Sequence, residues 1–220
     1  MPLLNTETPP PRRPLVEAAD APPTRTVLVQ KVVELAQIFE SDCNTAVLER
    51  VADARVLDEA RAFLEQNPRG ELKRVTLPEA IALDKDLATV PPALRGDIGV
   101  WVELLATITG AGRVGVRLVC LSSAMCPRFH ADKVTLRLVT TYVGLGTELF
   151  GGVHLELRPG RAAERAGPPS AQISRATPGD IVLLKGDAWP GNHGRGAVHR
   201  SPAASPDNPR LVLTVDALEA

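Results

Sequence analysis

Aromatic side chains are almost missing from this 220-residue sequence: four Phe, two Trp and one Tyr make up 3% of it. Any core therefore has to be built from Leu, Val, Ala and Ile, which a 44% apolar content can supply. Cysteine is scarce too. Cys43, Cys120 and Cys126 are odd in number and show no CxxC spacing, which argues against a disulfide framework. No segment is apolar for long enough to cross a bilayer, and the N-terminus lacks the apolar run of a signal peptide. A reducing cytoplasm is the expected setting. An excess of charge is also absent, since 25 basic and 26 acidic residues leave a net −1. That balance provides no electrostatic footprint for nucleic acid or an anionic membrane. Walker loops, GxSxG elbows and a Ser-His-Asp order are not found either. The expected partner is a small-molecule or protein substrate.

What is present falls into three parts, in a chain sized for one domain with appendages. Residues 1–25 are Pro-rich with mixed charge and read as a disordered arm. Residues 26–112 read as a helical or mixed support layer. Val27-Leu28-Val29 and Val32 to Phe39 have apolar positions three and four apart and predict a helix. A short strand is expected at 44–48 and an amphipathic helix over 54–66, ended by Asn67-Pro68-Arg69-Gly70. Pro91-Pro92 opens another helix, which Gly110-Ala111-Gly112 stops near Thr109. From Arg113 the texture becomes strand-like, at 114–121, 134–142, 152–157, 172–174, 180–185, 196–201 and 210–215. Turn residues separate these runs, while Gly144 to Glu148 reads as a Gly-rich turn. The fold class is mainly β with N-terminal helices, and the pattern suits an antiparallel sandwich or barrel over 113–220.

The chemistry concentrates in two short words, CPRFHAD and GAVHRSP. In extended chain, residues two apart share a face, so His130 and Asp132 can reach one ion together. With His199 they make two imidazoles and one carboxylate, the facial set that holds Fe(II) and leaves positions open. Arg210 follows His199 after ten intervening residues, and a planar guanidinium there can take the far carboxylate of 2-oxoglutarate in a bidentate pair. Continuing the parity places Val134, Leu136, Leu138, Thr140 and Tyr142 on the ligand side and turns Lys133, Thr135 and Arg137 outward. Ala197, His199 and Ser201 share a face on one strand, and Arg210, Val212 and Thr214 on another, expected to be its antiparallel neighbour. The other histidines, His154 and His193, sit in a strand-like run and a Gly-rich loop and are poorer ligands. Cys126 is a stronger competitor: a Cys-His-His set would favour Zn²⁺. Its alternative is a small packed residue beside Pro127. The WPGN loop places Trp189 and Asn192 just before His199, either as a substrate rim or as a rigid surface loop.

CPRFHADKVTLRLVTTYVGLGTE, PGDIVLLKG, WPGN and GAVHRSP together resemble the bacterial family catalogued as domain of unknown function 1826, over roughly residues 90–216. The resemblance implies no activity, although that family's association with zinc-responsive gene neighbourhoods keeps zinc as the alternative metal. More broadly, the order HxD, RLVTTY, PGD, His and Arg is similar to 2-oxoglutarate/Fe(II) oxygenases of the prolyl-hydroxylase type. That resemblance implies a double-stranded β-helix (a cupin-like jelly roll) with His130, Asp132 and His199 as ligands. It also implies Arg210 as the cosubstrate anchor, assisted by Tyr142. The sequence departs from the pattern around Phe150-Gly151-Gly152 and in the WPGN loop, which leaves the substrate class open.

Overall fold

In the computed structural model, which describes residues 24–151 and 172–218, the chain opens with strand β1 (Arg25–Val29). A 3-10 helix (Val32–Phe39) and strand β2 (Cys43–Leu48) follow. The helix expected across Val27 to Phe39 is thus split in two. The β-branched Val27–Val29 segment pairs in parallel with β2, and Glu34 turns back to accept from the backbone N–H groups of Gln30 and Lys31. A short apolar run does not distinguish strand from helix by spacing alone.

Helix α1 spans Ala54–Gln66, as its periodicity predicts. The Asp53 side chain caps it by accepting from the Arg55 N–H, and Val56, Ala60 and Leu64 form its buried stripe. Strand β3 (Glu71–Thr76) and helix α2 (Ala80–Asp86) were not legible in the sequence. β3 is an edge strand with four of six residues exposed, so it lacks the apolar alternation that would reveal it. Helix α3 (Pro92–Thr109) begins with Pro at its first position and ends on Gly110 in the left-handed region, φ 69°. The carboxylate of Glu59 on α1 accepts from the first free N–H groups of α3, at Ala93 and Leu94.

The remaining strands are β4 (Arg113–Leu121), β5 (Leu136–Val143), β6 (Glu148–Phe150), β7 (Ile173–Arg175), β8 (Ile181–Lys185), β9 (His199–Arg200) and β10 (Arg210–Leu218). β6 occupies part of the expected Gly-rich turn. The strand expected at 152–157 lies outside the described residues, as do His154 and nearly all of the Pro-rich arm.

Among the described residues, seven strands form one sheet in the order β1-β2-β8-β5-β10-β4-β3, and three form a second in the order β7-β6-β9. Residues before Arg113 therefore contribute strands to the main sheet as well as the helices. Side-chain parity sorts the large sheet into two faces. Leu136, Leu138 and Tyr142 of β5, Leu211, Leu213 and Val215 of β10, and Ile181 and Leu183 of β8 pack against the helices in one core. Val139, Val212, Val182 and Leu184 point the other way, into a second core with Leu149 of β6. The layers are helices, large sheet and small sheet, a mostly β architecture built on aliphatic side chains. Burying each of these aliphatic side chains contributes about 1.5–3 kcal/mol. No helix among the described residues is long and apolar enough to cross a membrane.

Candidate metal centre

His199 lies on β9, which among the described strands pairs with β6, Leu149 standing opposite His199. The free side of β9 is taken by His130, which makes an isolated antiparallel bridge to His199. Its two backbone bonds are His130 N–H to His199 O at 3.0 Å and His199 N–H to His130 O at 2.9 Å. The imidazole centroids stand 4.6 Å apart. Two residues on from His130, Asp132 brings its carboxylate to both rings, with Oδ1 3.6 Å from His130 Nε2 and Oδ2 3.3 Å from His199 Nε2. The three ligand atoms lie within 4.8 Å of one another, and among the described residues no other group of His, Cys, Asp or Glu is so arranged.

The hydrogen bonds around the rings set their protons. His130 Nδ1 lies 3.0 Å from the carbonyl of Arg128, and His199 Nδ1 lies 3.1 Å from that of Ala197. A carbonyl only accepts, so each Nδ1 donates and each Nε2 presents a lone pair toward Asp132. Two lone pairs and a carboxylate aimed at one point repel unless a cation lies between them, so the donor set fits a divalent metal. Burial by itself raises the Asp132 carboxyl. When the two rings are protonated instead, the hydrogen bond from His199 and the positive charges of His199, Arg137 and His130 outweigh burial and hold it at about 2.

The parity expected for β5 fails at a bend over residues 133–135. Asp132 is held by another partner, the N–H of Asp187, which donates to its carbonyl at 2.8 Å. Pairing on β5 begins only at Leu136, with the opposite phase. Arg137, expected outward, therefore faces the ligands and donates from Nη1 to Asp132 Oδ2 at 2.8 Å. Tyr142, expected beside the cosubstrate, lies instead in the helix-side core. Its hydroxyl donates to Asp97 on α3 at 2.8 Å, and burial together with the Asp97 charge raises the phenol. The structure does not bring it to the metal centre.

Arg210 is brought there. It is 1% exposed and lines one pocket with His130, His199, Arg137, Ser201 and Val212. β9 and β10 are not the expected hydrogen-bonded neighbours: β10 belongs to the large sheet between β5 and β4, and His199 and Arg210 line one pocket from the two sheets. The guanidinium donates to the Leu145 carbonyl, to Ser201 Oγ at 2.6 Å and to Thr141 Oγ1 at 3.3 Å. None of these acceptors is a carboxylate, and burial depresses the guanidinium to about 10, with Glu148 raising it and Arg175 lowering it. Among the described residues, then, this buried cation is hydrogen-bonded only to neutral groups and makes no direct contact with a carboxylate.

Cys126 lines the same pocket and is exposed, but it stands outside the three-ligand group. Trp189 and Asn192 do not line the pocket. Trp189 packs on the helix-side core, its ring 5.7 Å from Phe39 and 5.3 Å from Lys185 Nζ. Asn192 is buried and donates to the Gly186 carbonyl at 3.0 Å, so it supports the turn after β8. Sequence parity missed Arg137 and Thr141 because both depended on the phase of β5.

The fold is shared with known oxygenase structures. A dioxygenase for auxin oxidation from rice superposes with a TM-score of 0.52 at 14% identity, over 89% of this chain and 83% of that one. The Arabidopsis thaliana dioxygenase for auxin oxidation 1, solved as a 2-oxoglutarate complex, gives 0.54 at 10% identity, over 90% and 93%. At such identities the likeness is one of fold. No curated protein matches the sequence. The model of a sequence family described as protein of unknown function (DUF1826) matches residues 30–216, most of the chain and all of the site, and the protein belongs to that family.

Proposed function

We propose that the protein is an Fe(II)- and 2-oxoglutarate-dependent oxygenase of hydroxylase type, on a double-stranded β-helix. The observation that carries this reading is Arg210. A metal site alone needs no buried guanidinium, whereas a cosubstrate with a terminal carboxylate supplies the counter-ion that Arg210 lacks. His130, Asp132 and His199 would hold the metal on one face. Ser201 and Thr141 orient the guanidinium, and Leu121, Val139 and Val212 give the pocket an apolar wall that limits water. When bound, Fe(II) and 2-oxoglutarate supply the means of activating O₂ to oxidise a substrate.

The substrate on this reading is a small molecule or a protein side chain, in a cytoplasmic setting, with no role for nucleic acid or membrane. The rice and Arabidopsis proteins support the reading through their fold and, for the latter, through the 2-oxoglutarate of its binary complex. The test is anaerobic titration of 2-oxoglutarate into the Fe(II) protein, following the charge-transfer absorbance of the bidentate chelate. A saturable band is expected. Absence of both the band and any affinity for 2-oxoglutarate overturns the reading, and tight binding of Zn²⁺ alone would then assign a metal-handling role.

A further inference from the structure

The charged side chain of Arg137 touches both a candidate ligand and a second strand. Its Nη1 donates to Asp132 Oδ2 at 2.8 Å, while Nε and Nη2 grip both oxygens of Asp216 on β10 at 2.6 and 2.8 Å. β5 and β10 are antiparallel partners with Arg137 directly opposite Asp216, so the clamp is built on paired backbone. Asp216 shares its face of β10 with Thr214, Val212 and Arg210, being spaced from each by an even number of residues. The same strand pair thus carries the Asp132 clamp toward one end and, through Thr141 and Arg210, the unpaired guanidinium toward the other.

The two oxygens of Asp132 are made unequal by this contact. Oδ2 takes the Arg137 N–H, and no hydrogen bond among the described residues ends on Oδ1, which stands 3.6 Å from His130 Nε2. A carboxylate free to rotate could chelate a metal through both oxygens and fill a position that a facial site needs open. A charge-assisted bond to one oxygen fixes the rotation.

We propose that Arg137 is a positioning residue that holds Asp132 as a ligand through one oxygen, with Asp216 as its anchor on β10. The proposal rests on the metal-binding reading of His130, Asp132 and His199. Arg137 touches the metal only through Asp132, and its role is to set coordination number and to lower the cost of ordering the ligand before metal arrives. Outer partners of this kind typically govern metal affinity by about 10–100-fold.

The test uses the full chain and Co²⁺, whose visible absorption weakens as coordination number rises. Wild type is compared with the charge-matched double variant Arg137→Gln/Asp216→Asn, which leaves no orphaned carboxylate at position 216, and with Asp216→Asn, which keeps the Arg137–Asp132 contact. The double variant is expected to bind Co²⁺ about 10-fold or more weakly with a less intense band, and Asp216→Asn to fall between it and wild type. Melting of the metal-free proteins separates folding from binding. Wild-type affinity and spectrum in the double variant overturn the proposal, as does a lowered melting temperature with unchanged affinity, which is the mark of a merely structural ion pair. If the double variant does not fold, Asp216→Asn decides alone, and its identity with wild type in affinity and spectrum overturns the anchor. A wild-type protein that binds no Co²⁺ sinks the metal reading itself, a result distinct from any difference between variants.

Discussion

His130 and His199 meet through their backbones before they meet through their rings: each donates its N–H to the other's carbonyl. The bridge needs no side chain, so it survives truncation of either imidazole. We expect His130→Ala, Asp132→Ala and His199→Ala each to abolish metal binding while leaving the β-core folded, since a facial site has only three protein ligands. Calorimetric titration with Fe(II) or Zn²⁺ and circular dichroism read the two halves of this expectation. Undiminished affinity in any one variant removes that residue from the site.

Arg210 offers a test in the opposite sense. Arg210→Ala should retain metal, because Arg210 is not in the ligand group. It should weaken 2-oxoglutarate binding about 30-fold or more, given the roughly 2–5 kcal/mol attached to one partner of a buried charge pair. In the absence of cosubstrate, Arg210→Met should cost less stability than loss of a buried ion pair usually does. No counter-ion is orphaned, although Ser201 Oγ and Thr141 Oγ1 lose a donor. Thermal melts with and without 2-oxoglutarate measure both, and a cosubstrate-induced rise in melting temperature that persists in either variant would rule out the anchor role.

Cys126→Ser should leave metal affinity and metal identity unchanged. The thiol lines the pocket but does not join His130, Asp132 and His199. Elemental analysis and titration of the variant check this, and a large loss of Zn²⁺ affinity would instead place a thiolate on the metal.

Gly186 sets the backbone that carries Asp132. A Cβ at this position would stand 2.0 Å from the Val134 carbonyl oxygen and 2.8 Å from that of Asp132. Both contacts are to main chain, so the 132–134 segment would have to move. Gly186→Ala is expected to lower metal affinity about 10-fold or more as well as stability, the scale usual when the outer support of a ligand is displaced. Metal titration of the folded variant decides it, and a wild-type dissociation constant would show that the bend tolerates displacement.

Acid should act on the small sheet. Burial raises the Glu148 carboxyl, but its hydrogen bonds and charge pairing with Arg175 and Arg200 more than offset this and hold it below its ordinary value. Those arginines lie on β7 and β9, directly opposite Glu148 in register. For a carboxyl lowered by folding, the contribution is complete above the unfolded value near 4.5 and is lost as pH falls through the folded one. The melting temperature of the metal-free protein should therefore drop below about pH 4.5 more steeply in wild type than in Glu148→Gln. Parallel acid limbs in the two proteins would show that Glu148 does not link protonation to folding.

That His130 and Asp132 would stand together was legible in the sequence because HxD requires only that two residues share a side of an extended segment, which is a local property. Helices α1 and α3 were legible for the same reason: caps, Pro at the start and Gly at the end act within a turn or two. Ser201 and Thr214 were placed correctly alongside His199 and Arg210 by strand parity. What failed was everything that depended on phase across a bend or on which strands pair. Backbone bonds from Gly186 and Asp187 to the 132–135 segment interrupt the alternation, and that half-turn exchanges Arg137 and Tyr142 between the two faces. The shared pocket of His199 and Arg210, lined from two sheets, was likewise decided by tertiary packing. A strand's own residues specify its two faces, while the neighbours that those faces meet are set by long-range pairing and by which core each face joins.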